Sequence, residues 1–229
     1  MPVDITRYAI ERLRERETRK SQAGPVITIS REYGCPSKII AGELTKVIRS
    51  ESKKKDRTKW HWVSKEILQE AASSLGMTPR EIKYVFEYKE HTVFDEILVA
   101  QSKRYYHSDK KIRKTISEVI RALGWEGHVI IVGRAGVAIT REIEKSLHVR
   151  LMAPKRWRTV QVAKNHNISP AEATKLIDEM DTKRRKFMEY YLKSSPGIDL
   201  FDIVLNCSTL SVQEIVRFIF LLAEEKKLV

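Results

Sequence analysis

Apolar positions follow two patterns along the chain. Short β-branched runs break off after four or five residues, and between them apolar residues recur at helical spacing. Val26-Ile27-Thr28-Ile29-Ser30, Trp60-His61-Trp62-Val63, Val129-Ile130-Ile131-Val132, Leu147-His148-Val149-Arg150-Leu151 and Ile203-Val204-Leu205-Asn206 read as five strands. Residues 4–20 read as a charged helix with Ile5, Tyr8, Ile10 and Leu13 apolar. Residues 38–50 carry Ile39, Ile40, Leu44, Val47 and Ile48 on one helical face, read as its inner face. Ser64 stands where an N-cap would, before a helix over 65–75, and Thr78-Pro79 with Glu81 forms a capping box. The stretch 87–122 is mostly amphipathic helix. Further helices are predicted over 154–165, over 169–191 with Glu172 three residues after Ser169, and over 211–225. Apolar strands alternating with helices predict a five-stranded parallel sheet covered on both faces, an α/β fold. Ligands of such sheets lie beyond the carboxyl ends of the strands. That rule singles out the residues after Ser30, Val63, Val132 and Leu151.

Composition narrows the class. The 229 residues are 42% hydrophobic and 32% charged, a folded chain rather than a disordered one. Cys35 and Cys207 are too few for a disulfide framework or a structural zinc site. The longest apolar stretch, 215–223, falls well short of the ~20 residues that span a bilayer. Charged residues interrupt the N-terminus where a signal peptide would be apolar, so a cytoplasmic location without a membrane partner is expected. Basic residues number 43 against 30 acidic, a net charge of +13 that calls for an anionic partner. The excess lies in three blocks, 45–60, 103–121 and 153–194, each with a net charge of +5. No helix-turn-helix, zinc-finger or RNP-type motif accompanies it, so a nucleic-acid partner stays open on charge alone. The N-terminal helix, residues 1–24, is expected to pack on the core or to form a homodimer contact.

The loop after the first strand carries the first candidate chemistry. A strand, then Arg31-Glu32-Tyr33-Gly34-Cys35-Pro36-Ser37-Lys38, then a helix is the layout of a phosphate loop. The full G-x-x-x-x-G-K-[ST] pattern is absent. Ile27-Thr28-Ile29-Ser30-Arg31-Glu32-Tyr33-Gly34 nevertheless resembles the opening of the cytidylate kinase-like family, a branch of the nucleoside monophosphate kinases, which runs S-R-[EQ]-Y-G-S-G-G-R. Val-Ile-Ile-Val-Gly-Arg-Ala-Gly at 129–136 resembles that family's V-I-V-G-R-G-A segment. Ala153-Pro154 through Asp181-Thr182-Lys183-Arg184 resembles its lid, and Leu200-Phe201-Asp202-Ile203-Val204-Leu205-Asn206 its Y-D-L-V-L-N-T strand.

The resemblance implies a P-loop nucleoside-monophosphate-kinase-like domain over 25–229 with a helical lid over about 153–194. ATP and Mg²⁺ are the implied cofactors and CMP or dCMP the acceptor. It implies that Lys38 contacts the β and γ phosphates of ATP beside Tyr33, Gly34 and Ser37. Arg134 would face the acceptor nucleotide, Arg158 and Arg184 would enter from the lid, and Asp181 would orient Arg184 or anchor the lid. Phosphoryl transfer suits such a set, because arginine stays charged and forks onto two oxygens.

This chain departs from the family pattern at Gly34-Cys35-Pro36-Ser37-Lys38, where two glycines are replaced. It departs again at Ser64-Lys65-Glu66, where the family carries Asp before K-E, and at Gln161, where a second lid arginine is common. A catalytically weak nucleotide-binding pseudokinase is therefore a second reading. A basic nucleic-acid-binding protein is the third. The six histidines show no ligand spacing, so no metal site is expected from protein side chains alone. Trp60 and Trp62 fall on one strand face, where core packing is expected. Tyr190-Tyr191 and Tyr105-Tyr106-His107 read as helix packing.

Overall fold

The computed structural model describes residues 23–64 and 109–229, with Ile67, Gln69 and Ser73 between them. The helix expected over 4–20, the Thr78 capping box, the Tyr105-Tyr106-His107 cluster and most of the 65–108 region lie outside the described residues. Strand β1 (Val26–Arg31) leads through the loop 32–36 into α1 (Ser37–Glu51). A 3-10 turn (Lys55–Lys59) precedes β2 (His61–Val63). Then follow α2 (Asp109–Glu126), β3 (Val129–Val132), α3 (Gly136–Thr140) and β4 (Ser146–Met152). Helices α4 (Lys155–His166) and α5 (Pro170–Leu192) form the expected lid segment, and a second 3-10 turn (Ile198–Leu200), β5 (Ile203–Asn206) and α6 (Val212–Glu225) complete the chain.

All five strands pair in parallel, in the order β2-β3-β1-β4-β5. Every strand coincides with one of the five runs predicted as strands. Helix α3 was not expected from the sequence, because Val137, Ile139 and Thr140 are β-branched and disfavour helix. The two capping boxes at Ser169–Glu172 and Ser211–Glu214 are both formed, and each starts its helix where the sequence placed it.

The two faces of the sheet differ. On one, Ile27, Ile29, Val132, Leu147 and Val149 pack with Ile40, Leu44 and Ile48 of α1 and Ile219 and Phe220 of α6. Burying each of these side chains contributes roughly 1.5–3 kcal/mol, set against a large ordering entropy. Trp60 is buried in this core and Trp62 packs against it, as their shared parity required. Ile39, expected on the inner face of α1, is instead 60% exposed, because the face that meets the sheet is set by Ile40, Leu44 and Ile48. On the other face Val26, Val129 and Ile131 meet Ile112, Ile116 and Ile120 of α2 and Val137 and Ile139 beyond β3. This second face is apolar at the amino ends of the strands and turns polar toward the carboxyl ends. Thr28 and His148 stand side by side in register on it, hydrogen-bonded at 2.8 Å, and Ser30 and Arg150 follow. The chain leaves β1 toward β2 and leaves β4 toward β5, in opposite directions. The crevice thereby opened lies at the polar end of this face.

Among the described residues, no helix is long and apolar enough to cross a membrane.

Candidate functional site

A cavity of about 630 Å³ fills the crevice. Its floor is the end of β1, β3 and β4, and α5 closes one side. Arg31, Arg134, Arg150 and Arg184 all line it, with Phe187 and Met188 of α5 giving it an apolar wall. The sequence singled out Arg134 and Arg184. It missed Arg31, although that residue belongs to the S-R-E-Y-G run, and Arg150. The signal for Arg150 was the His148, Arg150 alternation within an otherwise apolar strand, which marks a polar sheet face rather than solvent.

The backbone under these cations is unusual. Gly133, Arg134 and Ala135 occupy the left-handed region in succession, with φ of 76°, 55° and 55°. A non-glycine residue there costs roughly 1–2 kcal/mol, and such strain concentrates where a chain positions function. The Gly136 N–H closes the turn onto the Gly133 carbonyl at 2.9 Å. Gly133 has a second reason to lack a side chain. A Cβ there would stand 1.8 Å from Nη1 of Arg31, so the guanidinium lies directly on the glycine.

The cations are crowded. Burial, together with Arg184 and Arg134 nearby, pulls Arg31 down to about 9. Burial and Arg184 pull Arg134 down to about 10. Burial lowers Arg184 too, with Asp181 working in the opposite direction. Arg31 and Arg134 remain charged near neutral pH, and an anion in the cavity would favour the charged form of all three. Arg31 makes no side-chain hydrogen bond or ion pair among the described residues. Arg184 lies over the Tyr33 ring at 5.0 Å, and its buried Nη1 is 3.6 Å from Asp181 Oδ1 without a hydrogen bond. An open guanidinium in a walled cavity suits a multiply charged oxyanion.

Arg158 occupies a different position. It is 7% exposed and lines neither this cavity nor the next. Its Nε donates to the Ala153 carbonyl at 2.9 Å, and its Nη1 donates to the Tyr33 carbonyl at 3.1 Å and to Asp181 Oδ2 at 2.7 Å. Glu32 Oε2 lies 3.3 Å from its Nε and accepts from the Ala153 N–H at 3.0 Å. Asp181 Oδ1 also accepts from the Tyr33 N–H at 2.7 Å. Arg158 and Asp181 together fasten the loop after β1 to α4 and α5. Asp181, read as orienting Arg184 or anchoring the lid, also borders the cavity.

A second cavity, of about 580 Å³, lies on the other side of that fastening. Tyr33, Gly34 and Pro36 form one wall, Trp157, Gln161 and His166 of α4 a second, and residues after β5 a third. Gly34 has φ 100°, and a Cβ on it would meet Arg158 Cβ at 3.0 Å. Ser37 is buried at the start of α1, whereas Lys38 is exposed one residue further on and lines neither cavity. The loop itself has few donors to offer. The N–H groups of Glu32, Tyr33, Cys35 and Ser37 bond within the protein, and Pro36 has none. Within residues 32–37 this leaves the N–H of Gly34.

Comparison with known proteins follows this geometry. The model of the Cytidylate kinase-like family matches residues 26–209. A protein described as cytidylate kinase from Sulfurisphaera tokodaii is 29% identical over 115 residues, 50% of this chain and 62% of that protein. The match therefore spans less than two thirds of that relative. An uncharacterized protein from Eubacterium ventriosum, known from its crystal structure, superposes with a TM-score of 0.61 at 19% identity, over 87% of this chain and 98% of its own. A shikimate kinase from Bacteroides thetaiotaomicron gives a TM-score of 0.48 at 10% identity, over 87% and 98% of the two chains.

Proposed function

The chain belongs to the cytidylate kinase-like family, and from that premise we propose that it is a phosphotransferase carrying the γ-phosphate of ATP to a nucleoside monophosphate, CMP or dCMP. One observation carries the reading: Arg31, Arg134 and Arg184 converge on one cavity, and Arg31 forms no ion pair among the described residues, Asp181 acting on it only at longer range. The acceptor phosphate belongs in that cavity, with Arg134 as its first contact. The donor nucleotide belongs in the second cavity, its base near Tyr33 and Trp157 and its phosphates directed past Gly34. At about 580 Å³ that cavity lies within the range of small-molecule sites. Among the described residues no cluster of three metal-ligating side chains is present, and Glu32 and Asp181 are both engaged by Arg158. Mg²⁺ would then be held mainly by phosphate oxygens and water, as is usual for this ion. It would supply charge neutralisation of the transferring group.

In this arrangement positive charge comes from guanidinium groups rather than from a loop of backbone N–H groups. Arg31 and Arg184 hold charge against the phosphoryl oxygens as they separate from the donor, and Asp181 keeps Arg184 turned toward the cavity through its 3.6 Å ion pair. Lys38 contributes only if the loop rearranges on binding.

A second reading has its own support. The internally bonded loop and the exposed Lys38 favour a nucleotide-binding protein with little turnover. Incubation with ATP, Mg²⁺ and a panel of nucleoside monophosphates separates the two. Diphosphate product formed faster with CMP or dCMP than with other acceptors supports the kinase. Thermal stabilisation by ATP or CMP without product supports the pseudokinase. Absence of both overturns the nucleotide assignment.

A further inference from the structure

The two cysteines of the chain stand 172 positions apart in sequence, and both line the second cavity. Their approach follows from the sheet. The Glu32 N–H donates to the Leu151 carbonyl at 3.0 Å, and the Cys207 N–H donates to the next carbonyl, Met152, at 2.8 Å. The loop after β1 and the first residue after β5 therefore hang from the same end of β4, one from each side. The Cys35 N–H donates to the Glu32 carbonyl at 3.3 Å, which folds Cys35 back toward this point. Its side chain packs against the core cluster that contains Cys207, and the two thiols are in side-chain contact.

We propose that Cys35 and Cys207 are a redox-modification site, joined by a hydroperoxide into an intramolecular disulfide that closes the second cavity. Two features favour the pair over inert packing. Both residues border a cavity wide enough for peroxide, although Cys207 is only 6% exposed. The Cys35 thiol, facing Cys207, also holds the Cys207 thiol below its ordinary range, against burial, while Cys35 itself is pushed up. Either cysteine can supply the attacking thiolate; in one of the two orders it is Cys207. Its sulfur displaces hydroxide from hydrogen peroxide and becomes the sulfenic acid. The Cys35 sulfur then attacks that sulfur, loses its proton and releases water. The balance is two thiols and one peroxide to one disulfide and two waters. Bond formation draws the sulfurs to about 2 Å, pulling the Gly34–Pro36 wall against the residues after β5. The consequence for ligand rests on the donor nucleotide occupying this cavity.

Treatment of the full chain with a few equivalents of hydrogen peroxide, followed by intact mass under non-reducing conditions, tests the bond. The expected result is a loss of about 2 Da, a linked Cys35–Cys207 peptide, and reversal by dithiothreitol. Cys35→Ser and Cys207→Ser chains should not lose this mass. Free thiols, or sulfinic acid in place of the disulfide, would overturn the proposal. Stabilisation by ATP is then measured on reduced, oxidised and re-reduced protein. Loss of at least tenfold in apparent affinity on oxidation, restored by reduction and absent in Cys207→Ser, is expected. Equal affinity in the oxidised and reduced forms removes the gating role. A reduced protein that does not respond to ATP overturns the gating and the proposed function together, while the mass measurement still decides the disulfide.

Discussion

Gly133→Ala isolates the contribution of Arg31 with a single methyl group. The three atoms nearest to a Cβ at this position all belong to the Arg31 guanidinium, at 1.8, 3.0 and 3.5 Å. No backbone is in the way, so the fold accommodates the methyl by moving the end of one flexible side chain. The guanidinium must withdraw by roughly 1–2 Å to reach ordinary contact. Alanine at φ 76° adds strain of about 1–2 kcal/mol. Urea denaturation should register that loss and nothing larger, and for a chain of this size Tm should fall by about 2–8 °C. The site should suffer far more. Displacing a positioned cation by about an ångström is expected to cost on the order of 100-fold in kcat/KM. Calorimetric titration with CMP reports binding, and coupled ADP release reports turnover. Arg31→Ala completes the cycle. In its background Gly133→Ala should still lose the strain energy but add nothing to the functional loss. A Gly133→Ala chain with the expected stability loss but native affinity and turnover would refute the role given to Arg31.

Other consequences follow from the same geometry. Arg158→Leu should cost about 3 kcal/mol by urea denaturation, because it strands Glu32 and Asp181 and releases the Tyr33 carbonyl; a loss below about 1 kcal/mol would place Arg158 among weak surface pairs. Arg134→Gly should raise stability by about 1 kcal/mol, relieving a left-handed arginine crowded by Arg184, while abolishing CMP binding; destabilisation would show that the turn is not strained. Lys38→Ala should leave kcat/KM within about threefold of native while Arg31→Ala lowers it by more than tenfold; the reverse order would restore Lys38 as the phosphate ligand. His148 is lowered by burial, opposed by Asp202, so its unfolded form binds a proton more readily than its folded form. Stability should therefore fall as pH drops through the ordinary histidine range, near 6.5, and level off below the folded value. Thermal melts from about pH 8 to pH 5 check this, and His148→Asn should flatten the curve.

The sheet was legible because its evidence is local. Val129-Ile130-Ile131-Val132 announces a strand without reference to anything else, and Ser169 with Glu172 announces a helix start. The site was legible only in part because its evidence is not local. Arg134 was singled out through the glycines around it, which are sequence neighbours. Arg31 looked like any charged residue ending a strand. Its importance comes from Gly133, 102 positions later, which accepts the guanidinium only because β3 pairs with β1 in the register that sets Ile29 beside Val132. Arg158 lies buried rather than free, which the sequence did not show. It sits among Lys155 and Arg156 on a basic helix and was read as a lid cation, yet its Nε and Nη1 are engaged by Tyr33, Ala153, Glu32 and Asp181.

These two findings have a common cause. The loop has replaced glycines that would let phosphate approach its backbone, and it has turned its N–H groups inward. A loop of that kind needs fastening, and Arg158 and Asp181 supply it. Under the proposed function phosphate then needs another source of charge, and the polar end of the second sheet face offers Arg31, Arg134, Arg150 and Arg184. Burying like charges together costs stability, visible in the lowered values of Arg31, Arg134 and Arg184. The left-handed turn at 133–135 adds further cost. A core helix connection would have no reason to retain either. Their coincidence in one cavity is what an anion would repay, since a bound dianion relieves the mutual repulsion of all three guanidinium groups at once.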